Sequence, residues 1–150
     1  MYYLRQATLE DLEPMMRIGH EGLRPHIEAF REWDQAEEIV GFKAHFDPKL
    51  VQIIEVDGQD AGYIKLEPNT EFLYLDGIYI SKTFRSKGLG EMILREAVLA
   101  RSELPVRLRV FKTNPARRLY ERLGFKIVRS MEDAFLMEYQ NQGFAPNKQY

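Results

Sequence analysis

The stretch from residue 71 to about residue 100 constrains the fold most, because strand, turn and helix patterns follow one another there without a linker. Residues 71–81 are rich in branched and aromatic side chains, which predicts a strand, and Gly77 within it predicts a bulge or a close backbone approach. A helix is expected from the following turn to about residue 100. That turn consists of Arg85, Ser86, Lys87, Gly88, Leu89 and Gly90.

The remaining segments complete the predicted order β-α-α-β-β-β-α-β-α-β-β. Further strands are expected at residues 2–6, 50–56, 60–66, 106–111, 125–128 and 134–139, with a tight hairpin turn at Asp57 and Gly58. Further helices are expected from Thr8, over residues 25–45 and over residues 114–123. Gly19 and Gly22 are expected to end the first of these. This order describes a mixed α/β sheet with helices on both faces.

Composition narrows the class of protein. The chain of 150 residues has no internal repeat or Gly/Ser linker, so we predict one domain at residues 1–139 and a polar tail at residues 140–150. No apolar run approaches the roughly 18 to 20 residues that cross a membrane, and no signal peptide is recognisable. The absence of cysteine excludes disulfides and a cysteine nucleophile. We expect a cytoplasmic protein without a membrane partner.

Charge and histidine spacing argue against two further classes. Residues 1–70 carry 14 acidic and 7 basic side chains, whereas residues 71–150 carry 9 acidic and 14 basic ones. The basic half suits a polyanionic ligand, but the net charge of −2 is too acidic for a dedicated nucleic-acid binder. The three histidines lack the spacing of metal ligands on a helix, so no metal is expected.

The turn at residues 85–90 has the chemistry of a phosphate site. The N-terminus of a helix exposes unpaired N–H groups with about half a positive charge, which attract phosphate. Gly88 and Gly90 allow the backbone to approach the phosphate oxygens, and Arg85 and Lys87 add positive charge. The nucleoside-triphosphate loop G-x-x-x-x-G-K-[S/T] and the dinucleotide pattern G-x-G-x-x-G are both absent.

A second block follows the turn, running from Asn114 to the pair Gly124-Phe125 with Ala116 and Tyr120 between them. Together the two blocks resemble the GNAT acetyltransferases. The first matches the [Q/R]-x-x-G-x-[G/A] turn of that family, and the second matches its N-x-x-A-x-x-x-Y-x-x-x-G-F helix only in part. The order of elements also fits, so the resemblance covers about nine-tenths of the chain. It implies the fold class α/β (α+β), with a mixed and mostly antiparallel sheet of about seven strands flanked by about four helices.

The resemblance implies acetyl-CoA as cosubstrate, with its pyrophosphate on the turn and its pantetheine arm between two splayed strands, residues 71–81 and 106–111. Backbone groups of Ile78 and Ile80 would bond the pantetheine amides, and an N–H near Ile78 would face the thioester carbonyl. Asn114 would hold the cofactor arm, although it also fits a helix cap. Arg117 and Arg118 would reach the 3′-phosphate, or they belong to a solvated helix face.

The same resemblance assigns Tyr120 as the general acid that protonates the departing thiolate. The alternative is a tyrosine that only packs its ring beside Phe125. For the general base, Asp76 is the first choice, followed by Glu71 and His20, and a purely surface role is open for each.

The acceptor is expected to be a primary amine that meets the first two helices, where carboxylates outnumber cations and Trp33 is available for a cation–π contact. Two functions stay open: an N-acetyltransferase acting by direct attack in a ternary complex, and a non-catalytic acyl-CoA sensor or regulatory module. A tRNA-directed acetyltransferase is disfavoured by the acidic N-terminal half. The acyl length is open, and homodimers are common among the proteins that the chain resembles.

Overall fold

The computed structural model describes residues 1–141, and the elements follow the predicted order. The strands are β1 (Tyr2–Gln6), β2 (Val51–Val56), β3 (Gln59–Pro68), β4 (Leu73–Ile80), β5 (Val106–Phe111), β6 (Lys126–Ser130) and β7 (Ala134–Tyr139). The helices are α1 (Leu12–Glu28), α2 (Gln35–His45), α3 (Leu89–Ile93) and α4 (Ala116–Leu123), and α3 continues as a π-helix over Leu94–Leu99. Residues 142–150, most of the expected tail, lie outside the described residues.

The strands form one sheet of seven in the order β1-β2-β3-β4-β5-β7-β6. The pairs β1–β2, β2–β3, β5–β7 and β6–β7 are antiparallel, whereas β4 and β5 are parallel. The prediction of a mixed and mostly antiparallel sheet is therefore confirmed. The hairpin turn between β2 and β3 is also as expected, since Asp57 and Gly58 both have positive φ, 51° and 77°.

Two compact units divide the chain, and the division cuts β4. The first unit comprises Met1–Leu66 and Gly77–Lys87, and the second comprises Glu67–Asp76 and the residues from Gly88 onward. Within the second unit, Leu73 and Leu75 of β4 pair with Val106 and Leu108 of β5. Within the first unit, the N–H of Ser81, directly after β4, donates to the carbonyl of Ala61 in β3.

The first helix corrects one prediction, because α1 runs through Gly19 and Gly22 instead of ending there. Both glycines lie under tyrosine rings. A Cβ on Gly19 would collide with the hydroxyl of Tyr63, and one on Gly22 would lie 3.3 Å from Cδ1 of Tyr79. The glycines thus provide room for close packing, and they do not terminate the helix.

A second correction concerns residues 25–45, which are not one helix. Pro25 lies inside the last turns of α1, a loop follows at residues 29–34, and α2 begins at Gln35. The N-cap is Asp34, whose carboxylate accepts from the N–H of Glu37 at 3.1 Å. The helical composition of this stretch concealed a cap signal in its middle.

An arginine on β1 ties the first unit together. The guanidinium of Arg5 donates to both carboxylate oxygens of Asp11 at 2.9 and 3.0 Å, and also to Glu55 and Asp60. Asp11 is 6% exposed and accepts from the N–H of Thr8 at 2.8 Å. Arg5 and these hydrogen bonds hold the pKa of Asp11 below its usual value, although burial opposes them.

The second unit has its own apolar interior, drawn from β4, β5, β7 and the helix that begins as α3. Among its members that are at most 2% exposed are Leu75, Ile93, Leu94, Val106, Leu108 and Met137. The expected helix through about residue 100 has the right extent, but its second half is π-helical, and the N–H of Ala100 donates to the carbonyl of Arg95.

None of the helices among residues 1–141 is both long and apolar enough to span a bilayer.

Candidate functional site

The turn after β4 has an unusual backbone that ends in a helix start. Ser86 has φ 63° and Gly88 has φ 77°, so two residues of the turn are left-handed. Gly88 is the N-cap of α3, and its carbonyl accepts from the N–H of Met92 at 3.0 Å. Where left-handed and right-handed residues alternate, the backbone N–H groups can point to one side and bind an anion. Leu89 and Gly90, the remaining turn residues, form the first positions of α3.

Arg85 donates its hydrogen bonds to groups of the first unit. Its Nε donates to the carbonyl of Ile80 at 2.6 Å, and its Nη2 lies 3.3 Å from Oε1 of Glu21 on α1. The other carboxylate oxygen of Glu21 lies 3.9 Å from Nζ of Lys82, whereas Lys87 is exposed. One carboxylate thus faces two cations beside the turn. Sequence reasoning missed this pairing, because 64 residues separate Glu21 from Arg85 and no local signal connects them.

An aromatic ring packs against the C-terminal half of β4, the part of the strand that precedes the turn. Ile78 and Ile80 are half-buried, and the carbonyl of Ile80 accepts from Arg85. The ring of Tyr79 folds back over Gly77, where a Cβ would lie 2.9 Å from both Cζ and the hydroxyl oxygen. The predicted close approach at Gly77 is therefore made by a side chain. Tyr79 itself carried no signal in the sequence that set it apart from other strand residues.

In the second unit, Asn114 directly precedes Pro115, the N-cap of α4. Its Oδ1 accepts from the N–H of Ala116, the first residue of α4, at 2.9 Å, so Asn114 pairs with a donor at the helix start in the way that the capping alternative predicted. The guanidinium of Arg117 lies 5.2 Å from the ring centre of Phe135, and Nζ of Lys112 lies at the same distance from that ring. Arg118 is exposed on the helix surface.

Tyr120 lies one turn before the end of α4. Its ring meets Phe125 edge-on at 5.7 Å between ring centres, and Phe125 also contacts Tyr139 at 5.6 Å. Tyr120 is half-buried, and burial raises the pKa of Tyr120 to about 12. The phenol therefore stays protonated across the physiological range. Packing on Phe125 and a chemical role are compatible in this arrangement.

The candidate bases differ in their surroundings. Asp76 is exposed at the last β4 position of the second unit. Burial, and next the charge of Asp76, raise the pKa of the neighbouring Tyr74, whereas Arg109 lowers it. Glu71 was expected on the strand but lies in the turn before it, where its N–H donates to Oδ1 of Asn69.

His20 lies in an aromatic cluster in the first unit. Its ring meets Trp33 at 5.1 Å and Phe42 at 5.6 Å, both edge-on. Burial lowers the pKa of His20, while the carboxylate of Glu38 opposes this shift. The guanidinium of Arg24 lies over the ring of Trp33, 5.5 Å from the ring centre. In this structure, the cation that contacts Trp33 is therefore a side chain of the protein itself. Among residues 1–141, no three His, Asp or Glu side chains are grouped in a way that would hold a metal ion.

Comparison with solved structures identifies the fold. PaiA N-acetyltransferase from Thermoplasma acidophilum, crystallised with coenzyme A, superposes with a TM-score of 0.74 at 19% identity over 93% of this chain and 99% of that one. An N-acetyltransferase from Staphylococcus aureus Mu50 gives 0.72 at 14% identity over 91% and 99%. YncA from Salmonella typhimurium, described as a putative acetyltransferase with acetyl-CoA, gives 0.63 at 20% identity over 94% of each chain.

The sequence itself places the chain in a family. The family model described as the acetyltransferase (GNAT) domain matches residues 47–127, which is more than half of the chain. The match includes both sequence blocks, the turn at residues 85–90 and the segment at residues 114–125. The protein therefore belongs to the GNAT acetyltransferases, as the resemblance indicated. No curated protein sequence matches it significantly.

Proposed function

We propose that the protein is an N-acetyltransferase that transfers the acetyl group of acetyl-CoA to a primary amine by direct attack. The observation that carries this proposal is the turn at residues 85–90, where left-handed Ser86 and Gly88 lead directly into α3. Membership in the GNAT family supports the reaction class, and the coenzyme A and acetyl-CoA bound to two similar structures support the cosubstrate.

The turn is proposed to bind the pyrophosphate. The backbone N–H groups of Gly88, Leu89 and Gly90 would meet the phosphate oxygens, and Arg85 and Lys87 would supply charge. Arg85 already donates through Nε and Nη2 to Ile80 and Glu21. Its contribution to the phosphate would therefore come from the rest of the guanidinium or from a change of partner.

The backbone of β4 beyond Gly77 is proposed to bind the rest of the cofactor. The groups of Ile80 would bond a pantetheine amide, and the N–H of Ile78 would donate to the thioester carbonyl. A fixed donor aimed at a developing oxyanion stabilises the transition state by roughly 3 to 4 kcal/mol in other enzymes. Asn114 would use its amide N–H₂ for the cofactor arm, because its carbonyl oxygen caps α4. Arg117 is the candidate for the 3′-phosphate.

Tyr120 is proposed to donate its proton to the departing CoA sulfur. A phenol with a pKa of about 12 is protonated at neutral pH, which is the state a donor needs. An exposed thiol has a pKa of about 8.5, so transfer to such a thiolate would be uphill by several units. Burial raises the pKa of a thiol as it raises that of a phenol, and this narrows the gap when the sulfur leaves in the same buried surroundings.

The amine would reach the site as an ammonium ion and lose one proton before it attacks. Asp76 is proposed to take that proton, directly or through water, since it is an exposed carboxylate next to Gly77 on β4. The amine nitrogen then bonds to the acetyl carbon, the carbon–sulfur bond breaks, and Tyr120 protonates the sulfur. The nitrogen loses its second proton as the amide forms, and this proton restores the phenol of Tyr120 through water. The products are the acetamide and CoA.

Two measurements test this proposal. Calorimetry with acetyl-CoA is expected to show binding to the wild type and none to Gly90→Val, whose side chain would stand among the phosphates. Unchanged affinity would remove the turn from the cofactor site. Tyr120→Phe is expected to lower turnover at least about tenfold while sparing acetyl-CoA affinity. Tyr139→Phe is the matched control, because Tyr139 packs on the same Phe125, and equal turnover in both variants would contradict the role of Tyr120.

A further inference from the structure

The proposed binding mode fixes a direction along β4, and the inference that follows rests on it. The pyrophosphate lies at residues 85–90, a pantetheine amide at Ile80 and the thioester carbonyl at Ile78. The cofactor therefore runs backwards along the strand from its C-terminal end. The acyl carbons, which come after the carbonyl, must then extend toward Gly77. Whatever lies over Gly77 meets the end of the acyl chain.

The side chain that lies over Gly77 is Tyr79. Its Cζ and hydroxyl oxygen are both 2.9 Å from the place that a Cβ on Gly77 would take. Successive residues in a strand are about 3.3 Å apart, so only about one methyl group fits between the carbonyl at Ile78 and this ring. A longer acyl chain would have to displace the ring.

Displacing the ring is opposed by the packing behind it. Tyr79 contacts Tyr63 with 5.2 Å between ring centres, and Tyr63 is only 5% exposed. On α1, a Cβ at Gly22 would lie 3.3 Å from Cδ1 of Tyr79, so the helix backbone also stands against the ring. Tyr79 belongs to the aromatic margin of the buried cluster around Met15 and Ile53. A well-packed ring of this kind resists movement.

We propose that Tyr79 closes the acyl end of the cofactor site and restricts the donor to acetyl-CoA and the shortest acyl thioesters. We expect the phenyl ring to set the limit, because its Cε2 is the atom nearest to the position that a Cβ on Gly77 would take. Gly77 is the second part of the device, because only a residue without a Cβ allows the ring to lie in this position. A pocket of this kind typically discriminates one added methylene by 10- to 200-fold.

The test is calorimetric affinity for CoA, acetyl-CoA and butyryl-CoA, which needs no acceptor amine. The wild type is expected to bind butyryl-CoA at least about tenfold more weakly than acetyl-CoA. Tyr79→Ala is expected to bring the two affinities within about threefold of each other, and Tyr79→Phe should keep the wild-type ratio. Tyr79→Leu retains more of the packing against Tyr63 and serves where the alanine variant does not fold.

The outcomes separate this inference from the proposed function. An unchanged ratio in folded Tyr79→Ala or Tyr79→Leu, with CoA still bound, would overturn the role of Tyr79 and leave the proposed function intact. Equal binding of both thioesters by the wild type would do the same. A wild-type protein that binds none of the three probes would overturn the proposed function, and the inference with it.

Discussion

Two stretches of the chain each contain a pair of closely spaced glycines, and the structure uses the pairs differently. Gly19 and Gly22 lie within α1 with helical backbone, under the rings of Tyr63 and Tyr79. Gly88 has φ 77° and nothing within 4 Å of a would-be Cβ, and Gly90 lies two residues further on in α3. Gly19 and Gly22 are needed because a Cβ would come too close to the tyrosine rings, whereas Gly88 is needed because its backbone has positive φ.

The comparison explains why a turn and helix start around Gly88 were predicted from the sequence, whereas the packing role of Gly19 and Gly22 was not. The need for positive φ at a helix start is local, so Gly88, which directly precedes a helical pattern, indicates a turn. The need for space depends on rings contributed by β3 and β4, which are at least 40 residues away in sequence. A helix-terminating glycine and a packing glycine look alike until the partner is known.

The largest expected effect comes from placing the same methyl group on two helical glycines. Gly19→Ala should destabilise the protein by about 1 to 3 kcal/mol, because the Cβ collides with the hydroxyl of buried Tyr63. Gly41→Ala in α2 is the matched control, since nothing lies within 4 Å of its Cβ position. It should stabilise by about 0.5 to 1 kcal/mol. Urea unfolding measures both, and the same sign for the two would break the comparison.

The next effect separates conformation from function. Gly88→Ala and Gly58→Ala each force alanine into φ 77° at an open site, and each should destabilise by about 1 to 2 kcal/mol. Only Gly88→Ala should weaken CoA binding, because a relaxed turn would move its N–H groups away from the phosphates. Calorimetry and urea unfolding on both variants check this. Equal CoA affinities in the two would show that the conformation of Gly88 is structural alone.

A smaller effect is expected from the carboxylate beside the turn. Glu21→Gln removes a negative charge near Arg85 and Lys82, and should tighten CoA binding roughly two- to fivefold, the range of an exposed ion pair. The gain should shrink as salt screens the charges. Glu28→Gln, which removes the partner of Arg24 instead, should leave CoA affinity unchanged. Weaker binding in Glu21→Gln would mean that Glu21 chiefly positions Arg85.

The smallest expected effect concerns the pH dependence of turnover. With a pKa of about 12, Tyr120 should not impose any loss of turnover between pH 7 and pH 10. The raised pKa also contributes to the free energy of unfolding. This stabilising contribution is fully present below pH 10 and is lost as the pH rises toward about 12. A pH–rate profile of the wild type checks the first statement. An alkaline decline centred below pH 10 that disappears in Tyr120→Phe would contradict the proposed state of this phenol.

Sequence reasoning reached the fold but not all side-chain partners. The element order followed from local patterns of period two and 3.6, whereas the mostly antiparallel sheet was implied by the family resemblance. The bounds of β5 and β7 were predicted correctly because flanking breakers define them. The loop at residues 29–34 was missed because charged helix formers surround Asp34.

The candidate site divides in the same manner. The backbone of the turn and the cap at Asn114 depend on neighbouring residues, and both were predictable. The ion pair between Glu21 and Arg85 and the position of Tyr79 over Gly77 depend on tertiary packing, which no spacing in the sequence encodes. The roles of Tyr120 and Asp76 stay predictions, since they depend on bound substrates.

The central claim is acetyl transfer to an amine, and thiol release from acetyl-CoA tests it most directly. The protein has no cysteine, so a colorimetric thiol reagent detects only released CoA. The acceptor panel should include polyamines, amino sugars, amino acids, peptides with a free N-terminus or lysine, and aminoacyl-tRNA. Release with one class of amine, reduced in Tyr120→Phe but not in Tyr139→Phe, is the expected result. Acetyl-CoA binding without release for any acceptor would contradict the claim and favour a sensor.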